Sequence, residues 1–187
     1  MALVLGTNSG FVSSAPSADP EGTYTQMQDK YRATAHTSPS GTNVITNLGW
    51  YCDNATEAAD YQMGVYSNNA ATNPNSPNVL IASAATGAKG TTAGWKSVAY
   101  STSIDASTIY HIALQLDNTA SETYANFSNS LTGAIWTAGP SSGCTELPSN
   151  WTGTTSEYAD WGIAFYALYE AAGGDPIANM MYHYMHH

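Results

Sequence analysis

Asp53, Glu57, Asp60, Asp117, Glu122, Glu146, Glu157, Asp160 and Glu170 are the carboxylates a hydrolase would have to draw on. General acid and base work needs two such groups, or a nucleophile beside a base, at a fixed separation. Their spacing supplies no such pair, and most fall at turns, where a carboxylate commonly caps its own backbone. No GxSxG, HExxH, P-loop or GxGxxG pattern occurs, and the serines are too many and too loop-bound to nominate one. The expectation is a protein without catalytic activity.

Metal chemistry has two candidate donor sets. His183, His186 and His187 lie on one short segment where imidazoles could converge, but no acidic or cysteine ligand sits beside them. Asp53, Asn54, Asp117 and Asn118 offer hard oxygen donors of the kind calcium takes, without EF-hand spacing. Neither set amounts to a metal site, and no cofactor is expected. Cys52 and Cys144 are the only thiols. They form either one long-range disulfide, worth about 3 to 5 kcal/mol in a chain-entropy model, or two buried reduced side chains acting as small hydrophobes.

The chain has 5 Trp and 13 Tyr, and flat aromatic faces pack well on pyranose rings. Alternation places Trp50, Trp95, Tyr110 and Trp161 inward, which leaves Trp136 and Trp151, near or within Gly/Pro/Ser-rich loops, as candidate glycan contacts. The commoner role for such rings is as core or loop anchors. Asn54-Ala55-Thr56, Asn126-Phe127-Ser128 and Asn150-Trp151-Thr152 match the glycosylation sequon, as coincidence allows in a chain this rich in Asn, Thr and Ser.

Four basic residues against 14 acidic ones give a net charge of -10, which repels phosphate backbones and anionic membranes. Lys30, Arg32, Lys89 and Lys96 form no run, so neither nucleic acid nor membrane is an expected partner. No stretch approaches the roughly 18 apolar residues of a membrane span. The opening Met1-Ala2-Leu3-Val4-Leu5-Gly6 lacks the basic flank and apolar length of a classical signal peptide. Release as part of a virus particle is one route outside the cell that needs none.

The elements that must carry these residues are strands. At 187 residues one domain with tails is expected. Residues 1–23 read as an N-terminal strand or irregular arm, 24–172 as the domain and 173–187 as a C-terminal arm. Tyr24 to His36 alternates partly, with Lys30 and Arg32 on its wet face. Val44, Thr46, Leu48, Trp50 and Cys52 share one face of a strong strand. Further strands are read at Tyr61–Tyr66, Val79–Ser83, Trp95–Tyr100, Glu122–Ser128, Leu131–Trp136 and Asp160–Tyr169. Ser67–Asn78 and Thr137–Thr155 read as loops.

The clearest strand is Ile109 to Asp117. Tyr110, Ile112, Leu114 and Leu116 make its core face, while the smaller face of His111, Ala113, Gln115 and Asp117 suits packing against a sheet edge or another subunit. With turn chemistry between strands and no amphipathic helix, the fold class is an all-β antiparallel sandwich, jelly-roll-like, with irregular arms at both ends. After Gly173-Gly174-Asp175-Pro176, the C-terminal arm carries Ile177, Met180, Met181, Tyr182, Tyr184 and Met185, an adaptable apolar set that needs cover. It either binds a neighbouring subunit, the role assigned to these residues, or folds back on its own domain.

The series Gly64-Val65-Tyr66-Ser67-Asn68-Asn69, Pro77-Asn78-Val79-Leu80-Ile81-Ala82-Ser83, Gly94-Trp95 and Ile104-Asp105-Ala106-Ser107-Thr108-Ile109-Tyr110-His111-Ile112-Ala113-Leu114 resembles a β-sandwich module common in phage virion proteins and bacterial surface proteins. The likeness covers Val44 to Asp117 and, more loosely, Trp161 to Tyr169. It departs from the commoner form in placing His111 where an aromatic is usual. The resemblance implies an accessory domain for attachment, capsid decoration or carbohydrate contact. The resulting expectation is a virion structural protein on the particle surface, a capsid decoration or cement subunit. Its partners would be the major capsid protein or another virion protein, and copies of itself, with a trimer favoured at capsid three-fold positions. The alternative is a carbohydrate-binding module or tail-fibre adhesin domain.

Overall fold

The computed structural model describes residues 1–20, 22–41, 43–54, 57–69, 76–139, 143–151 and 157–172. No helix occurs among them. In chain order the strands are β1 (Gly10–Val12), β2 (Thr23–Gln26), β3 (Lys30–Thr37), β4 (Asn43–Asn54), β5 (Asp60–Asn69), β6 (Ser76–Ser83), β7 (Gly87–Ala88), β8 (Gly94–Ile104), β9 (Ile109–Leu116), β10 (Tyr124–Ser128), β11 (Ile135–Ala138), β12 (Glu157–Ala159), β13 (Gly162–Ile163) and β14 (Phe165–Ala171).

They form two seven-stranded sheets. The first runs β1-β14-β4-β10-β13, with β8 on β4 and β2 on β10; the second runs β12-β11-β3-β9-β5-β6, with β7 on β5. The chain passes repeatedly from one sheet to the other, as β3 to β4, β4 to β5, β8 to β9 and β10 to β11, which gives the jelly-roll-like connectivity. All pairings are antiparallel except that of β1 with β14, which is parallel.

The two sheets meet over one continuous core. Tyr110, Ile112, Leu114 and Leu116 of β9 line it from the second sheet, as their alternation requires. Leu48, Trp50 and Cys52 of β4 and Phe165 and Ala167 of β14 line it from the first. Trp50 meets Tyr61 of β5 edge to face across the gap, with ring centroids 5.7 Å apart. Each such fully buried aromatic contributes about 2 to 3 kcal/mol through removal from water.

Strict alternation fails along β4, because the ladder slips between Ile45 and Asn47 against both β8 and β14. The slip turns Ile45 into the core in place of the expected Thr46 and Val44. Tyr24 to His36 is likewise two strands, parted by Asp29 at φ 52°. In β3 the faces are the reverse of those expected. Arg32 pairs across from Leu114 and Thr34 from Ile112, so the side of Lys30 and Arg32 looks toward the other sheet. Tyr31 and Ala33 look outward, yet they too are buried.

Irregular chain packs on part of the outer face of each sheet. The N-terminal segment, irregular for most of its length as its composition implies, is not peripheral. Leu3 packs with Tyr51, Leu131 and Ala164 on the outer face of the first sheet, while Phe11 and Val12 of β1 are buried. Ser9 Oγ donates to the Ile163 carbonyl at 2.8 Å, Trp95 Nε1 to Ala18 at 2.9 Å, and Asn126 Nδ2 to Pro20 at 2.8 Å. Packing of the core therefore begins well before Tyr24. Trp95, expected inward, stands on this outer face edge to face with Tyr51 and Tyr166.

Residues 143–151 cover the second sheet in the same way. Gln115 Nε2 donates to the Cys144 carbonyl at 2.8 Å, Leu147 N to Gln62 Oε1 at 2.8 Å, and Tyr66 Oη to the Pro148 carbonyl at 2.6 Å. The His111, Ala113 and Gln115 face is thus closed by the chain's own loop, which replaces the sheet edge or subunit expected there.

Candidate functional site

Trp136 is the candidate around which the fold assembles a surface. It lies on β11 opposite Tyr158 of β12, and Trp161 follows at the corner before β13. Tyr158 stacks on both tryptophans, with centroids 5.0 Å from Trp136 and 4.6 Å from Trp161 and planes within 28°. Phe127 of β10 stacks on Trp161 at 5.4 Å, and the Arg32 guanidinium lies 5.5 Å from the centre of the Trp136 ring. The group bridges the two sheets along one lateral edge of the sandwich. Tyr158 is its most open member at 39 % exposure, while Trp136, Trp161 and Phe127 are half-buried. Arg32 Nη1 donates to the Gly139 carbonyl at 3.2 Å, and burial lowers the basicity of this guanidinium. The aromatic edge offers apolar ring area with a cation held behind it, a combination suited to binding by stacking.

The sequence nominates Trp136 but not Tyr158 and Trp161 as its neighbours, and it places Trp161 in the core. The signal was available only in part. Two aromatics three apart at a strand end mark an aromatic corner, but their stacking on Trp136 requires the pairing of β11 with β12.

Trp151 is a different case. It meets Tyr31 and Tyr66 edge to face, at 4.7 and 5.2 Å, within the cluster that includes Ala33, Ala113, Cys144 and Leu147. Half-buried and clamped by two rings, it pins residues 143–151 to the second sheet and presents no open platform.

Cys52 and Cys144 are both buried thiols, and the candidate disulfide between them is not formed. Cys52 belongs to the core between the sheets and Cys144 to the cluster outside the second sheet, so a whole sheet separates them. Burial pushes the Cys52 thiol up to about 11, against the opposing pull of the Lys89 and Lys96 charges.

The proposed oxygen donors are not brought together either. Asp53 ends β4 in the first sheet, where burial and the nearby Asp19 carboxylate raise its pKa; Asp117 follows β9 in the second sheet and accepts from Gln115 Nε2 at 2.7 Å. Among the described residues no three His, Cys, Asp or Glu side chains gather as metal ligands do. Asn126 of the second sequon is buried and engaged with Pro20, so the folded chain does not present it for modification. His183, His186, His187 and the arm residues Ile177, Met180, Met181, Tyr182, Tyr184 and Met185 lie outside the described residues.

Two histidines that no motif singled out stand in unusual surroundings. His36, on β3, is 4 % exposed beneath Gly10 of the N-terminal segment, and neither ring nitrogen has a hydrogen-bond partner. His111, fully buried on β9, has Nε2 3.0 Å from Asn68 Oδ1. Burial pushes both imidazoles down to about 3, and the neighbouring His36 depresses His111 further.

With fold and site in view, the class of protein is an all-β, two-sheet sandwich with a stacked aromatic edge. No protein-family model, no curated protein and no solved structure matches the chain.

Proposed function

We propose that this chain is a non-catalytic structural protein of a phage particle, a decoration subunit that sits on the capsid and bridges neighbouring capsid subunits. The observation that carries the reading is the way the sandwich closes itself. Its N-terminal segment packs on one sheet and residues 143–151 on the other, so among the described residues the surface left for partners lies mainly at edges and turns. A subunit that bridges its neighbours laterally needs such a surface, and it gains stability for the shell through interface area instead of chemistry. The sequence likeness to virion and surface modules points the same way.

The test is co-sedimentation with purified particles, followed by heating of particles that carry or lack the protein. Bound protein and a higher disruption temperature are expected. Failure to co-purify, or identical disruption temperatures, refutes the proposal.

A second reading, a glycan-binding adhesin domain, is favoured by one observation, the half-open aromatic edge of Trp136, Tyr158 and Trp161. On a glycan array, Trp136→Ala and Tyr158→Ala should each abolish a signal that Trp151→Ala leaves in place. An array blank for the wild type removes this reading.

A further inference from the structure

The lateral side opposite the aromatic edge has a charge pattern of its own. From Tyr61 to Ile104, the stretch containing β6, β7 and β8, the sequence has no aspartate or glutamate, although the chain has a net charge of -10. In space, β6 and β8 are neighbouring edges of the two sheets, linked by the Tyr100 hydroxyl donating to the Ala82 carbonyl at 3.0 Å. Among the described residues β8 has a ladder partner on one side only, β4.

The outward side chains of β8 are Ser97, Ala99, Ser101 and Ser103, all small, uncharged and exposed. On β6, Val79 and Ile81 are 47 % and 42 % exposed. Two shallow clefts flank the seam, one of about 460 Å³ at Ile81, Asp105 and Ile109 and one of about 310 Å³ at Ala82, Ala99 and Ser101. A long edge without charged guards is what monomeric β proteins avoid.

The charges at the two ends of β8 identify the occupant. Lys96 stands near its start, Asp105 immediately after its end, and no charged residue lies between them. A second copy lying antiparallel brings each lysine to the other's aspartate, whereas a parallel copy sets like charges together. In the register centred on Tyr100, Ser97 faces Ser103, Val98 faces Thr102 and Ala99 faces Ser101, each pair close in volume, and Lys96 falls opposite Ile104, one residue from Asp105. Elsewhere two chains of net charge -10 repel, and here that cost is least.

We propose that two copies of this chain associate about a two-fold axis through the β6 and β8 side, with the β8 strands antiparallel and Lys96 of each copy beside Asp105 of the other. Because β8 is irregular between Ala99 and Thr102, the contact is a side-by-side packing of edges and side chains rather than one continuous ladder. A strip about 35 Å long and about 20 Å across approaches the roughly 800 Å² per partner of a stable interface. An edge of this kind generates a two-fold contact and leaves the three-fold expected from capsid geometry to other surfaces.

The test is sedimentation equilibrium on the full chain at micromolar to millimolar concentration. The wild type is expected to be dimeric. Lys96→Asp and Asp105→Lys should each weaken the dimer at least about tenfold, the double exchange should restore it, and Ile81→Glu should dissociate it while circular dichroism stays unchanged. A monomeric wild type, a trimer, or a dimer indifferent to charge reversal or unrescued by the exchange overturns the proposal. Particle binding is read separately by co-sedimentation, so this inference stands or falls independently of the capsid role.

Discussion

Acidification from pH 7 to pH 5 should act on this fold chiefly through His36 and His111. Both are buried as neutral imidazoles, with burial as the leading cause of pKa values near 3, against about 6.5 in an unfolded chain. Between those values the unfolded chain holds protons that the folded one refuses. Stability is therefore full above about pH 6.5, falls as the pH drops toward 3, and levels off below it. At pH 5 the difference is about 2 kcal/mol for each histidine, hence about 4 kcal/mol for the two. That is a large part of the roughly 5 to 15 kcal/mol that holds a typical domain together.

Asp53, whose pKa burial and the Asp19 carboxylate raise, acts in the opposite direction, so the histidine variants are what isolate the imidazoles. Urea unfolding followed by tryptophan fluorescence at pH 7, 6 and 5 gives the slope. His36→Phe and His111→Gln should each remove about half of it, and the double variant should be nearly flat. A wild type equally stable at pH 7 and 5, or a double variant with the wild-type slope, would refute the reasoning. The N-terminal segment should open first on acidification, because His36 lies directly beneath Gly10. Hydrogen exchange of residues 9–12 at pH 5 checks this.

Other perturbations test the packing. A methyl group at Gly49 would overlap the Tyr166 ring, so Gly49→Ala should cost about 1 to 3 kcal/mol, read by thermal denaturation. Cys52 and Cys144 should resist a thiol reagent in the folded protein and react together on unfolding; a disulfide-linked species in non-reducing electrophoresis of freshly folded protein would contradict the separation of their clusters. Trp151→Ala should loosen residues 143–151 from Tyr31 and Tyr66 and cost about 2 to 4 kcal/mol, with amide protection lost at Leu147 and Leu80. Equal protection in variant and wild type would show that this ring is not the anchor.

The core face of β9 was legible because period-two alternation over eight residues admits one reading once a single face is buried. The strand at Tyr61–Tyr66 was legible for the same reason. β4 was legible as a strand but not in its facing, since a ladder slip next to Ile45 leaves no mark in composition. β3 misled because a basic residue is normally a guide to solvent, whereas Arg32 finds the Trp136 ring and the Gly139 carbonyl in the interior. Trp136 could be nominated from its position near a loop, but Tyr158 and Trp161 join it only when β11 pairs with β12 and the chain turns into β13.

Composition and periodicity alone determined an all-β sandwich with a sparsely charged, acidic-on-balance surface, because alternation and turn residues are local properties that survive without knowledge of partners. The tertiary structure decided everything that depends on which segments meet. It drew the N-terminal segment and residues 143–151 over the outer faces, put a sheet between the two cysteines, gathered the aromatic edge and buried two histidines. These outcomes turn on long-range closure of irregular chain, whose residues carry no period and whose place is set by the surface left uncovered once the sheets have formed.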